Sequence, residues 1–313
     1  MKRALIVGCG GQDGRLLFAH RARSCAVVGL DIGSVASQGV DATALPAAVD
    51  LDDPAALADL LARFPADELY YLAARHHSSE ERPDDAREIR ECTRLNFVAF
   101  VNVLDAVRVG VPACRVFYAG SSHMFGAPSA SSQDETTCFL PNNPYAITKV
   151  AGAHAAALYR KRHGMHVSVG ILYNHESPHR GERFVSQRIA RGAKRASRDP
   201  SFRLSLGSLS SIVDWGYAPD YVEAMTRIVA QASPDDYVVA TGIPHTVRDF
   251  VEVAFGAVGL DWRNHVEEDR MLVPSPPGTL VGDASKLRAR TGWSPSVTFE
   301  EMVRILVAAA PAT

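Results

Sequence analysis

The chain contains no run approaching the ~18 consecutive apolar residues of a membrane span, which excludes a transmembrane helix. It has little net charge. Its 33 basic and 35 acidic residues leave −2, so nothing electrostatic points to nucleic acid or to an anionic membrane. Cysteine is scarce and scattered. The five residues (Cys9, Cys25, Cys92, Cys114, Cys138) are an odd number and include no Cys-x-x-Cys pair, which argues against a disulfide framework and a structural zinc site. No metal site is expected, and the setting expected is a reducing cytoplasm. There is no internal repeat and no low-complexity tract. The apolar stretch at the N-terminus is too short for a signal peptide and is interrupted at once by glycine, so it reads as a buried first strand. Against these absences, 47% of the 313 residues are apolar, enough for a sizeable core.

What the sequence does have is alternation. Residues 4–8, 26–30, 69–73, 115–118 and 166–172 read as strands, and residues 15–23, 54–64, 86–109 and 144–163 as helices. Strand–helix alternation predicts an α/β fold, a doubly wound parallel sheet of the Rossmann type. A dinucleotide-binding domain is expected over residues 1–173, with a strand returning to it near 237–241. Residues 174–313, richer in Gly, Pro, Ser and Arg in their loops, are expected to form a smaller, interleaved substrate lobe. The charge run 80–91 reads as the solvated start of a long helix.

The first strand runs into Gly8-Cys9-Gly10-Gly11-Gln12-Asp13-Gly14. Glycines at 8, 11 and 14 suit a tight turn whose N–H groups approach a pyrophosphate at the helix start. A lone Gly-rich loop is weak evidence; its place between first strand and first helix strengthens it. The second strand ends at Asp31, 17 positions after Gly14. A carboxylate there accepts hydrogen bonds from an adenosine ribose and repels a 2′-phosphate, so NAD is the expected cofactor. Asp50 follows a third short apolar run and is expected near the adenine.

Further on, Pro144 opens a helix carrying Tyr145 and Lys149, four residues apart and so on one face. An ammonium beside a phenol favours the phenolate, which can take the proton of an alcohol as hydride leaves the carbon. Ser121 ends a strand upstream and is placed to hold the same hydroxyl.

In combination these residues resemble the extended short-chain dehydrogenase/reductase (epimerase/dehydratase) family. The resemblance is closest to the GDP-mannose 4,6-dehydratases, through Gly11-Gln12-Asp13-Gly14, the loop 172–182, Asp214-Trp215-Gly216, residues 220–225 and Leu280-Val281-Gly282-Asp283. The resemblance implies a nucleotide-sugar enzyme in which the cofactor oxidises a sugar at C4. It implies catalytic roles for Tyr145, Lys149 and Ser121, the last in place of the family's threonine. It places Gln12, Asp13, Ala73 and Ala74 by the cofactor, and Asn174, Ser122 and one of His76 and His77, taken as His77, by the substrate. It also implies a homodimer or higher, through the helices at 86–109 and 144–163. His175 reads as a structural loop residue.

Three departures set this chain apart. The family's glutamate two positions after its threonine, the base of the elimination step, is His123 here. The family arginines before Asp-Trp-Gly and before a later proline are Val213 and Val273. Arg180, Arg183 and Arg188 are the candidates to replace them on a diphosphate. The reading these residues favour is an NAD-dependent oxidoreductase acting, with or without inversion, at C4 of a GDP-linked hexose or heptose. A 4,6-dehydratase using His123 as base is the alternative. A non-catalytic NAD-binding sensor is a third reading, and the intact Ser121, Tyr145 and Lys149 argue against it.

Overall fold

The computed structural model describes residues 1–76, 85–269, 271–272 and 279–311. The chain opens with β1 (Lys2–Val7), α1 (Gln12–Arg21), β2 (Cys25–Asp31), β3 (Ser34–Gln38), α2 (Pro54–Arg63) and β4 (Glu68–Tyr71). α3 (Asp85–Cys92) and α4 (Ala99–Gly110) follow, joined by a π-helical turn at Thr93–Val98. Then come β5 (Arg115–Ser121), α5 (Pro144–His163), β6 (Val167–Leu172), β7 (Asn174–Glu176), α6 (Val185–Ala196), β8 (Leu204–Leu206) and β9 (Ile212–Tyr217). The chain continues through α7 (Ala218–Val229), β10 (Asp236–Val239), β11 (Pro244–Thr246), α8 (Val247–Gly256), β12 (Val266–Glu268), α9 (Ser285–Thr291) and α10 (Phe299–Ala309).

Seven strands form the main sheet in the order β10-β6-β5-β4-β1-β2-β3, parallel throughout except for β3 against β2. Ala4–Val7 of β1 are at most 2% exposed, as a parallel strand covered on both faces requires. β3 was not foreseen. It is an edge hairpin whose residues alternate exposed and half-buried, so it carries no apolar run to announce it. The single helix expected over 86–109 is interrupted by the π turn, a local widening that apolar spacing does not reveal. α1 starts at Gln12 rather than 15, because Gly14 belongs to its first turn. Residues beyond 173 interleave with the first half: β10 joins the main sheet, and Met225 of α7 and Leu287 of α9 sit in its core.

A second core, built from Ile189, Trp215, Phe250, Val303 and Leu306, holds α6, β9, α8 and α10 together as the smaller lobe. Asp214, 1% exposed, ties that lobe to the sheet. Its carboxylate accepts hydrogen bonds from Thr241 N (3.0 Å), Thr241 Oγ1 (2.5 Å), Gly242 N (2.9 Å) and Gly282 N (3.1 Å). No described helix is long and apolar enough to cross a membrane.

Candidate active site

The site lies at the C-terminal ends of β1, β4, β5 and β6, where open α/β sheets hold their ligands. Two adjoining cavities meet there, one of about 650 Å³ and one of about 600 Å³, sharing Gly8, Gly10, Gly11, Leu72 and Ala74 in their walls.

The first cavity is lined by Gly8, Gly11, Asp31, Asp50, Ala73 and Ala74 among others. Its floor has no room for larger residues. Gly8 has φ +92°, and a Cβ there would stand 2.6 Å from Ala73 N; a Cβ on Gly14 would stand 2.1 Å from Gly8 O. The loop is therefore drawn tight against the end of β4, its Gly8, Cys9, Gly10 and Gly11 N–H groups taken by Leu30 O, Asp31 and Gly8 O, so the first turn of α1 is what faces the cavity as a cradle that fits the pyrophosphate of a dinucleotide. The Asp31 carboxylate lies at the cavity mouth, accepting from Gly10 N and, at 2.7 Å, from Ile32 N. Asp52 pairs with Arg94 on the same rim, leaving Asp31 and Asp50 as its other carboxylates.

The second cavity holds the reacting groups. Tyr145 enters it because Asn143 caps α5, accepting from Ala146 N at 2.9 Å, with Pro144 in the first turn. Lys149, one turn later and 1% exposed, donates from Nζ to Ala119 O at 2.7 Å. Ser121, at the end of β5, lines the same cavity as Tyr145 and accepts from His123 N at 3.3 Å. Burial raises the phenol to about 12, with the neighbouring Ser121 hydroxyl pulling the other way, and burial lowers the ammonium to about 7. This corrects the expectation that the ammonium lowers the phenol: in the chain by itself, burial moves both toward their neutral forms.

Two imidazoles crowd the phenol. The His76 ring is centred 4.4 Å from the Tyr145 ring and 5.5 Å from His123, which in turn is 5.9 Å from Tyr145. Burial keeps both imidazoles below the ordinary histidine range, hence neutral near pH 7. His76 also stacks on Phe184 at 5.5 Å. His77, expected in this position, lies outside the described residues, as does Val273. Asn174, Arg180 and Arg183 line the same cavity. Ser122 does not: it is 2% exposed, on the short helical turn behind the site. Nor does Arg188, which donates to Ser205 O at 2.6 Å. Val213 packs against the second core, so no cation stands at that position.

One feature escaped the sequence. Gln12 and Asp13 line the cavity, but their side chains clasp the Gly-rich loop to β7. Asp13 Oδ2 meets His175 Nε2 at 2.9 Å, while His175 Nδ1 is 2.6 Å from Tyr173 O. Gln12 Nε2 donates to Asp13 Oδ1 at 3.1 Å and to His175 O at 3.0 Å, and Gln12 Oε1 accepts from Ser177 Oγ at 2.9 Å. Burial alone would raise Asp13 and lower His175. Their mutual attraction outweighs it, holding the carboxyl below and the imidazole above their ordinary ranges. The structural reading of His175 agrees with this placement, and the loop signature was its only sequence signal.

The residue pattern of the GDP-mannose 4,6 dehydratase family matches residues 5–306. The chain belongs to that family. It is 42% identical over 265 residues to GDP-mannose 4,6 dehydratase 1 of Arabidopsis thaliana, covering 82% of this chain and 72% of that one. To the GDP-mannose 4,6-dehydratase of Vibrio cholerae it is 31% identical over 351 residues, covering 98% and 93%. Among solved structures, RMD from Pseudomonas aeruginosa complexed with NADPH superposes with a TM-score of 0.83 at 21% identity, covering 99% of this chain and 98% of that one, a likeness of fold. Among the described residues no cluster of three or more His, Cys, Asp or Glu side chains is arranged to hold a metal.

Proposed function

We propose that the protein is an NAD-dependent oxidoreductase that oxidises or reduces, with or without inversion, the C4 carbinol of a GDP-linked hexose or heptose. The observation that carries this reading is the convergence of Ser121, Tyr145 and Lys149 at the inner end of a dinucleotide-shaped groove. Gly8, Gly11 and Gly14 would cradle the pyrophosphate. Asp31 would take the adenosine ribose hydroxyls, and Lys149 and Tyr145 would stand by the nicotinamide end. NAD, when bound, supplies the hydride acceptor next to the reacting carbon. The rest falls to the chain. Ser121 holds the substrate hydroxyl, Tyr145 takes its proton, and Lys149, anchored on Ala119 O, supplies positive charge as the phenolate forms.

A second reading, dehydration with His123 as base, has one observation in its favour: the imidazole is neutral near pH 7, the form that accepts a proton. Incubation with NAD and GDP-mannose in heavy water separates the two. C4 chemistry alone returns a ketone or epimer with all its oxygens. Dehydration returns a 4-keto-6-deoxy sugar that has lost one water, its C6 a methyl built with the returned hydride and its C5 carrying deuterium from solvent, which would refute the lead reading. No turnover of any nucleotide sugar, with NAD still bound, would favour a sensor.

The same proposal extends to assembly and place. Ile147 and Leu158 of α5 are 50% and 43% exposed, and Ile89 of α3 and Val98 of the π turn 47% and 41%. Apolar side chains left bare on these helices suit pairing with a second copy, so the protein acts as a homodimer or higher. All five thiols are free, in keeping with a reducing cytoplasm.

A further inference from the structure

The charge of the second cavity says more about the sugar. Its acidic side chains are already taken: Asp13 faces His175, and Glu182 pairs with Arg191 at 2.9 Å. What shares the cavity with Tyr145 instead is His76 and His123, whose rings lie against it, and Arg180 in the wall. Arg180 is the notable one. Its guanidinium lies 3.7 Å over the Phe184 ring, its side chain is 19% exposed, and its Nε is buried without a hydrogen bond. Its ion contact, Glu176, is 3.6 Å from Nε, and that carboxylate is bound by Ser186 Oγ at 2.6 Å. Among the described residues the Arg180 side chain donates no hydrogen bond, so a planar fork of donors stands unspent in the cavity wall. The Phe184 ring beneath it also stacks on His76, whose ring is 4.4 Å from that of Tyr145, so Arg180 stands two rings from the phenol in the wall of the same cavity.

A carbinol oxygen held by Ser121 and Tyr145 brings the substituents of its neighbouring carbons within a few ångströms of these groups. In a hexose oxidised at C4, one such substituent is C6, carried on C5. A carboxylate at residue 123 would repel an anion there; an imidazole does not, and a guanidinium that donates no hydrogen bond among the described residues can match a carboxylate bidentately. We propose that the sugar preferred by this protein is a hexuronate, its C6 carboxylate bound by Arg180 beside His76 and His123. The inference rests on the C4 oxidoreductase reading and names its substrate class. A C6 carboxylate has no hydroxyl to eliminate, which accords with a site lacking a carboxylate base.

The test compares GDP-mannose with its C6 carboxylate, GDP-mannuronate, in the presence of NAD, following the sugar product by NMR. The uronate is expected to have a kcat/KM roughly ten- to a hundred-fold higher, the range of a charge-assisted hydrogen bond. Arg180→Gln should lower that ratio by a similar factor and Arg180→Lys by less. His123→Glu should lower it as well, by placing like charge beside the carboxylate. Thermal melts confirm that each variant is folded. Equal or better turnover of the neutral hexose overturns this inference and leaves the C4 reading standing. A ratio unchanged in Arg180→Gln also overturns it. If neither sugar is converted while NAD binds, the C4 reading falls, and this inference with it.

Discussion

The His175–Asp13 contact joins the phosphate loop to the substrate lobe, so cutting it should be felt in both stability and cofactor binding. His175→Leu fills much of the ring's volume but strands the Asp13 carboxylate, which then keeps only its 3.1 Å bond from Gln12. Removing one partner of a buried charged pair costs about 3–5 kcal/mol, because the other is left desolvated and unpaired. The loss of stacking on Tyr221, centred 4.5 Å away, adds to this. Taking the lower figure, the melting temperature should fall by roughly 5–10 °C for a chain of this size. The pH dependence carries the sign of each partner. His175 has a raised folded value, so its contribution is complete below the ordinary histidine value and fades as pH rises through the folded one. Asp13 has a lowered folded value, so its contribution holds above the ordinary aspartate value and is lost as pH falls through the folded one. The gap in melting temperature between wild type and variant should therefore be widest from mildly acid to neutral pH and narrow on the alkaline side. Differential scanning fluorimetry from about pH 3 to about pH 9 (from below the ordinary aspartate value to well above the histidine one), with and without NAD, reads all of this. A variant that melts with the wild type and binds NAD equally well would refute the clasp.

Three further outcomes are expected. Tyr145→Phe should retain the fold and NAD binding while losing about 10²–10⁴-fold in hydride transfer, measured by stopped-flow absorbance of the cofactor; activity within a few-fold would assign the proton to another group. Asp31→Ala should narrow the preference for NAD over NADP in a titration of both, and a wild type that binds NADP as tightly as NAD would show Asp31 misassigned. Lys149 is held at about 7 against an ordinary 10.5, so the unfolded chain binds more protons in between, and stability of the cofactor-free protein should rise with pH across that window. Lys149→Met should flatten the rise and abolish turnover; an unaltered slope in urea unfolding would contradict the burial argument.

Much of the fold was open to reading, and the reasons are local. β1 and β2 are buried on both faces and appear as unbroken apolar runs. α5 is announced by Asn143 and Pro144 at its start and closed by Gly164, which adopts φ +64°. The hairpin strand β3 has no such run, since only one side of it touches the core. The site divides in the same way. Tyr145 and Lys149 share a helix turn, and the glycine spacing follows the first strand, so neighbouring residues carry the signal. Contacts across long stretches of chain carry none: Asp13 and His175 are 162 residues apart, and the unspent donors of Arg180 follow from what its surroundings fail to offer. His76 and His77 are adjacent, and nothing in the sequence around them says which ring enters the site. The structure puts its ring on Tyr145 because the chain after β4 leaves the sheet and turns toward α6.

The central claim is that Ser121, Tyr145 and Lys149 carry out redox chemistry at C4 without removing water. Mass spectrometry and NMR of the sugar formed from GDP-mannose and NAD in heavy water test it directly. The account predicts a C4 ketone or C4 epimer that keeps its C6 hydroxyl and all its oxygens. A product that has lost one water, with a methyl at C6 and deuterium at C5, would contradict it.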